Sequence, residues 1–130
     1  MQQMYQKFRT IDGLIIATPV MTMGIPGKLK SFMDRFQVFF MAKYQRNQPL
    51  VTAEKKLRRQ SLVICIAGMN IPEVFIGAKL TLRAFLDIID CPYQDELLIS
   101  DMDTIRDVRT RQDLLDAAYA KGKALGEAWS

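Results

Sequence analysis

Two short segments hold the groups best suited to bind a ligand. They are Thr18-Pro19-Val20-Met21-Thr22-Met23-Gly24 and Ala67-Gly68-Met69-Asn70. Thr18, Thr22 and Asn70 can donate and accept hydrogen bonds. Gly24 and Gly68 lack a Cβ and permit a close backbone approach. Each segment ends a short apolar run that reads as a strand, residues 13–18 and 61–67. If the two strands are parallel, both loops leave from the same end of the sheet. Open α/β sheets bind ligands at that end. No residue stands out as a catalytic acid, base or nucleophile, so any chemistry must be carried by a bound cofactor.

Other reactive side chains point to nothing more specific. Histidine is absent, and the two cysteines, Cys65 and Cys91, are far apart in the chain. Alone they cannot make an ordinary zinc or iron–sulfur site, and no metal site is expected. A disulfide is arithmetically possible but unexpected in a cytosolic setting. Asp101, Asp103 and Asp107 resemble the start of a calcium loop, but the sixth and twelfth positions are Arg106 and Gln112 rather than Gly and Glu. They read instead as a polar loop that caps the last helix. The basic run Lys55-Lys56-Leu57-Arg58-Arg59 has no interleaved aromatic and no DNA-binding motif, so it reads as a solvated loop. Asp34-Arg35 reads as a structural ion pair or a polar helix face.

Composition is that of one small domain. The 130 residues are 49% apolar and 25% charged, with a net charge of +4. The longest apolar run is too short to span a bilayer, and MQQMYQKFR has no apolar signal core. Cytoplasmic residence with no nucleic-acid or membrane partner is the expectation.

The elements that must position the two loops follow from periodicity. Residues 1–9 have helical spacing of Met1, Met4, Tyr5 and Phe8. A strand covered on both faces follows at 13–18. A helix from about Pro26, suited to a first turn, runs toward Tyr44. Its half from Phe36 to Met41 is apolar around most of its circumference, which predicts an interface or a pocket wall. Residues 45–59 read as loop, 61–67 as the second strand, 73–89 as a helix, 96–100 as a third strand, 101–110 as loop and 112–129 as the last helix. Alternating elements with apolar strands predict parallel pairing and right-handed crossovers.

The segment Asp12-Gly13-Leu14-Ile15-Ile16-Ala17-Thr18-Pro19-Val20, with the helix Leu29-Lys30-Ser31-Phe32-Met33-Asp34-Arg35, resembles the NADPH-dependent FMN reductase and iron–sulfur flavoprotein group. These are flavodoxin-like proteins. The resemblance extends weakly through the strand at 62–67, Gly68, and the final Ala120-Lys121-Gly122-Lys123-Ala124-Leu125-Gly126. It implies an α/β, three-layer flavodoxin-like parallel sheet, here incomplete: the last three strands with their helices, in a single domain over 1–130. It also implies that 18–24 hold an FMN ring through backbone amides and that 67–70 lie near its pyrimidine edge. Where the family commonly has an aromatic, this chain has Met21. Met21 and Met23 are polarizable and can still cover a flat ring.

The resemblance begins at the third strand of that fold. The first strand, its Ser/Thr-rich phosphate loop and the cysteine cluster of the iron–sulfur members have no counterpart here. The expectation is therefore weak FMN binding by this chain alone and no iron–sulfur cluster. Two functional classes remain: an FMN-dependent NAD(P)H oxidoreductase, or a subunit or fragment of one, and a non-catalytic truncated flavodoxin-like module. An unneighboured strand at 13–18 would be an apolar edge, which predicts a homo-oligomer, a dimer or higher.

Overall fold

The computed structural model describes residues 1–130. Three strands, β1 (Gly13–Pro19), β2 (Gln60–Ile66) and β3 (Asp95–Ile99), form a parallel sheet in the order β1-β2-β3. Ile16 is level with Val63, and Ile64 with Leu97. Seven helices surround it: α1 (Gln2–Thr10), α2 (Gly27–Asp34), α3 (Gln37–Gln45), α4 (Ala53–Arg58), α5 (Ile76–Ile88), α6 (Met102–Ile105) and α7 (Gln112–Ala128), with a 3₁₀ turn at Val108–Thr110. No helix is long and apolar enough to cross a membrane.

Side chains alternate across the strands, and the two faces are treated differently. Ile16, Val63 and Cys65 face a core built with Phe8, Met33, Phe36, Phe39, Leu82, Phe85 and Leu86. Phe36 is fully buried, and its ring meets those of Tyr5, Phe8, Phe32, Phe39 and Phe85. On the opposite face α7 packs on β2 and β3, covering Leu62, Leu97 and Ile99. It leaves β1 bare. Ile15 is 48% exposed and Ala17 is exposed as well. The expectation of a first strand buried on both faces is thus corrected: only its even-numbered face is buried, because the nearest helix on the other face is centred one strand away.

Four further expectations change. The helix expected to run unbroken from Pro26 to Tyr44 breaks at Arg35-Phe36, which separates α2 from α3. The break lets Phe36 enter the core between the two. Of the apolar stretch 36–41, Phe36 and Phe39 are core residues, while Val38 and Met41 are exposed. The loop expected at 45–59 contains α4, started by the Thr52 side chain accepting from Lys55 N–H. Arg59, expected in solvent, is 1% exposed. It donates to the carbonyls of Phe8 and Ile89, at the ends of α1 and α5. A buried cation is tolerated there because helix carboxyl ends carry negative potential. Finally, Asp107 caps the 3₁₀ turn rather than the last helix, accepting from Arg109 N–H.

Candidate functional site

Parallel pairing brings the two sequence-predicted loops side by side at one end of the sheet. The ladder continues into them: Val20 N–H donates to Ile66 O at 2.7 Å, and Ala67 N–H donates to Ile99 O at 2.8 Å. Val20 packs against the core, and Ala67 and Thr18 are buried. These three residues therefore form the floor. The Thr18 hydroxyl donates to Pro19 O, while Pro19 is exposed.

Beyond the floor the first loop makes a tight reversal. Met21 and Gly24 exchange backbone hydrogen bonds at 2.8 and 3.0 Å. The two residues between them, Thr22 and Met23, both have positive φ, 48° and 62°. That is the pattern of a type I′ turn, which ordinarily takes Asn-Gly or Gly-Gly. A β-branched threonine there is strained. Gly24, by contrast, needs neither positive φ nor empty space, since a Cβ on it would meet only Met21 O at 3.8 Å. The close approach in this region is made by Gly77, in the first turn of α5. A Cβ on Gly77 would overlap Met23 O. The turn thus rests on the start of α5.

The second loop is clamped from β3. Met102, Asp103 and Asp101 donate their N–H groups to the carbonyls of Ala67, Gly68 and Met69. Gly68 is required by this contact, because a Cβ there would overlap the Asp103 carboxylate. Asp101 and Arg106, which bound α6, also have positive φ, 64° and 62°. Four of the six non-glycine residues with positive φ therefore lie at this end of the sheet. Backbone strain of this kind collects at ligand sites. The sequence analysis did not place Gly77 or Asp103 at this site. The lone glycine in an otherwise helical apolar pattern is the available signal for Gly77; Asp103 reads in the sequence as part of a polar loop, and nothing local marks its approach to Gly68.

What remains free is a set of backbone donors. The N–H groups of Thr22 and Met23, and those of Gly68, Met69, Asn70 and Ile71, have no protein partner. Around them Met21, Met23, Met69, Ile71 and Ile76 are exposed. The Asn70 side chain lies 3.5 Å from the Ser100 hydroxyl. Free amides suit the carbonyl and nitrogen acceptors of a heteroaromatic ring edge, and thioethers suit its flat face. The donor set fits the ring of FMN. The segments 18–26 and 67–75 contain neither Lys nor Arg, so they offer a phosphate no side-chain cation. None of the four principal cavities is lined by residues 18–24 or 67–70; one, of about 380 Å³, is a groove between α2–α3 and α5, and another borders the clamp at Ser100 and Asp101.

No side-chain acid–base or nucleophile pair occurs here. Both cysteines are free and buried; burial raises both thiols, Cys91 to about 11 against the opposing effect of Arg59. No three His, Cys, Asp or Glu side chains are grouped so as to hold a metal ion.

The profile of the NADPH-dependent FMN reductase family matches residues 1–70. No curated protein matches the chain. Among solved structures, it is similar to an FMN-dependent NADH-azoreductase from Bacillus anthracis str. Ames Ancestor in complex with FMN, at 18% identity and a TM-score of 0.60. That match covers 92% of this chain and 57% of the azoreductase. The Trp repressor binding protein of Bacillus subtilis is similar at 19% identity and a TM-score of 0.54, over 83% of this chain and 69% of that one. An NADPH-quinone reductase from P. pentosaceus is similar at 18% identity and a TM-score of 0.55, over 89% and 70% respectively. At these identities the structural likeness concerns the fold.

Proposed function

The chain belongs to the NADPH-dependent FMN reductase family, and from that membership we propose that it is an FMN-dependent NAD(P)H oxidoreductase, or a subunit or fragment of one. The observation that carries this reading is the set of unpaired N–H groups on Thr22, Met23 and Gly68 to Ile71, fixed by a strained turn and by α6 at the carboxyl end of two parallel strands. When bound, FMN supplies the redox chemistry, taking a hydride from a nicotinamide and passing electrons onward.

The protein's own part is positioning. Residues 18–24 hold one edge of the ring and 67–70 its pyrimidine edge, with Met21, Met23 and Met69 against its faces. Phosphate contacts come from outside these loops, so affinity in the isolated chain is weak. A non-catalytic binding module is the second reading, favoured by one specific observation: the loops carry no cation for the phosphate.

FMN titration followed by flavin absorbance and fluorescence, then anaerobic addition of NADPH or NADH, tests both. A perturbed flavin spectrum, loss of the perturbation in Met69→Glu, and protein-dependent bleaching support the oxidoreductase. Binding without bleaching supports the module. An unperturbed spectrum at high protein concentration excludes the flavin site. Submicromolar affinity in a proven monomer would show that a phosphate site exists after all.

A further inference from the structure

The clamp on the second loop brings a carboxylate to the site. Asp103 N–H donates to Gly68 O at 3.0 Å, Met102 N–H to Ala67 O at 3.1 Å and Asp101 N–H to Met69 O at 3.2 Å. These bonds fix the start of α6 against residues 67–69. The Asp103 side chain then lies directly over Gly68: a Cβ on that glycine would overlap its Cγ, Oδ1 and Oδ2. The charge therefore stands beside the free N–H groups of Gly68, Met69 and Asn70.

That charge is not neutralised. Asp107 is held by Arg109 and Asp113 by Arg111, and Arg111 also lies in the field of Asp101. Asp103 forms no ion pair, not even with Arg106 three residues on. The loops themselves supply no Lys or Arg. An exposed carboxylate needs no cation. What sets Asp103 apart is that three backbone bonds hold it over a ligand loop.

We propose that Asp103 sets the reduction potential of the bound flavin by disfavouring the reduced ring. The inference rests on the flavin reading given above. A hydride from the nicotinamide carries two electrons and one proton to the ring's N5, and the oxidised nicotinamide leaves. The neutral oxidised ring becomes an anion, with its charge spread over N1 and the C2 carbonyl at the pyrimidine edge. In this reading that edge faces 67–70. The N–H groups of Gly68 to Ile71 favour the anion, and the Asp103 carboxylate opposes it. A ring seated on the loop displaces water and reduces the screening between the two charges. The carboxylate therefore weakens binding of reduced FMN more than of oxidised FMN, and by linkage the midpoint potential of the bound flavin falls. Asp103 moves no proton; it is a tuning residue.

Anaerobic titration of the full chain with oxidised FMN, and with FMN reduced by dithionite, gives the potential shift from the ratio of the two affinities. Asp103→Asn keeps the shape and the backbone N–H and removes the charge. It is expected to raise the preference for reduced FMN about tenfold over the wild type, or about 30 mV for a two-electron couple. Asp103→Glu keeps the charge and is expected to stay close to the wild-type ratio. An unchanged ratio in Asp103→Asn, with flavin still bound, overturns the assignment and leaves the flavin site standing. So does an equal shift in Asp103→Glu, or the loss of both forms of flavin from Asp103→Asn, since shape and not charge is then at work. A wild-type chain that perturbs neither form of flavin removes the flavin site and this inference together.

Discussion

At the scale of the residue, Thr22 and Met23 define the site more sharply than the glycines beside them. Each holds a positive φ that Gly or Asn would adopt at little cost. Residues held this way cost about 1–3 kcal/mol each. Replacing them with the ordinary turn pair, Thr22→Asn with Met23→Gly, is expected to raise stability by about 1–2 kcal/mol. Urea denaturation of the double variant measures it, and an unchanged midpoint would mean the turn is not strained. If the strain serves to aim the two free N–H groups, FMN affinity should fall while stability rises. The glycines divide by function. Gly68 and Gly77 admit the Asp103 carboxylate and the Met23 carbonyl, whereas Gly24 admits nothing from this chain.

At the scale of the element, Arg59 is the tie among pieces that are remote in sequence. It lies just after α4 and before β2, and it bonds the last turn of α1 and the end of α5. Burial lowers its affinity for the proton, with Cys91, Asp90 and Asp12 opposing that effect. Hydrogen bonds to charged groups contribute about 1.5–3 kcal/mol each, and the carbonyls would be left unpaired without them. Arg59→Met keeps much of the stem's packing and removes both bonds. It is expected to cost about 3 kcal/mol, read as a lower urea midpoint. A surface arginine, as the basic run suggested, would cost almost nothing, so the two outcomes are well separated. The run itself gave no hint, because four of its five members do face solvent or its margin. Only the fold directs the fifth inward.

At the scale of the molecule, carboxylates that pair distant elements set the response to acid. Asp95 accepts from Lys121 of α7, which holds its carboxyl below the usual range. Glu96 is lowered too: burial raises it, but hydrogen bonds from Tyr93 and Lys79 outweigh that. Carboxyls lowered in the folded state stabilise it fully above their unfolded values, and that contribution is lost as pH falls through the folded ones. Stability should therefore hold from neutral pH to about pH 5 and decline below about pH 4. Asp95→Asn should give a shallower decline, measured by urea midpoints across that range. An unchanged slope would remove the Asp95–Lys121 pair from the account. Both partners are only half-buried, so solvent screens the pair and the neutral-pH effect of the variant is small.

The sequence by itself determined the strands, their parallel order and the two loops that share one end of the sheet. Apolar runs of strand length, separated by helical periods, admit little else once crossovers are right-handed. It also carried the family, through residues 12–35. The break between α2 and α3 was not legible, because Phe36 has a good helical neighbourhood and leaves it only to meet five other rings. Nor was α6, whose first two residues, with Asp101 before them, are held by carbonyls of the 67–69 loop. Which face of β1 is covered was likewise decided in three dimensions, because the exposure of Ile15 follows from where α7 lies. Local pattern fixes which residues alternate; what covers them is settled by elements distant in the chain, whose contacts no short window contains.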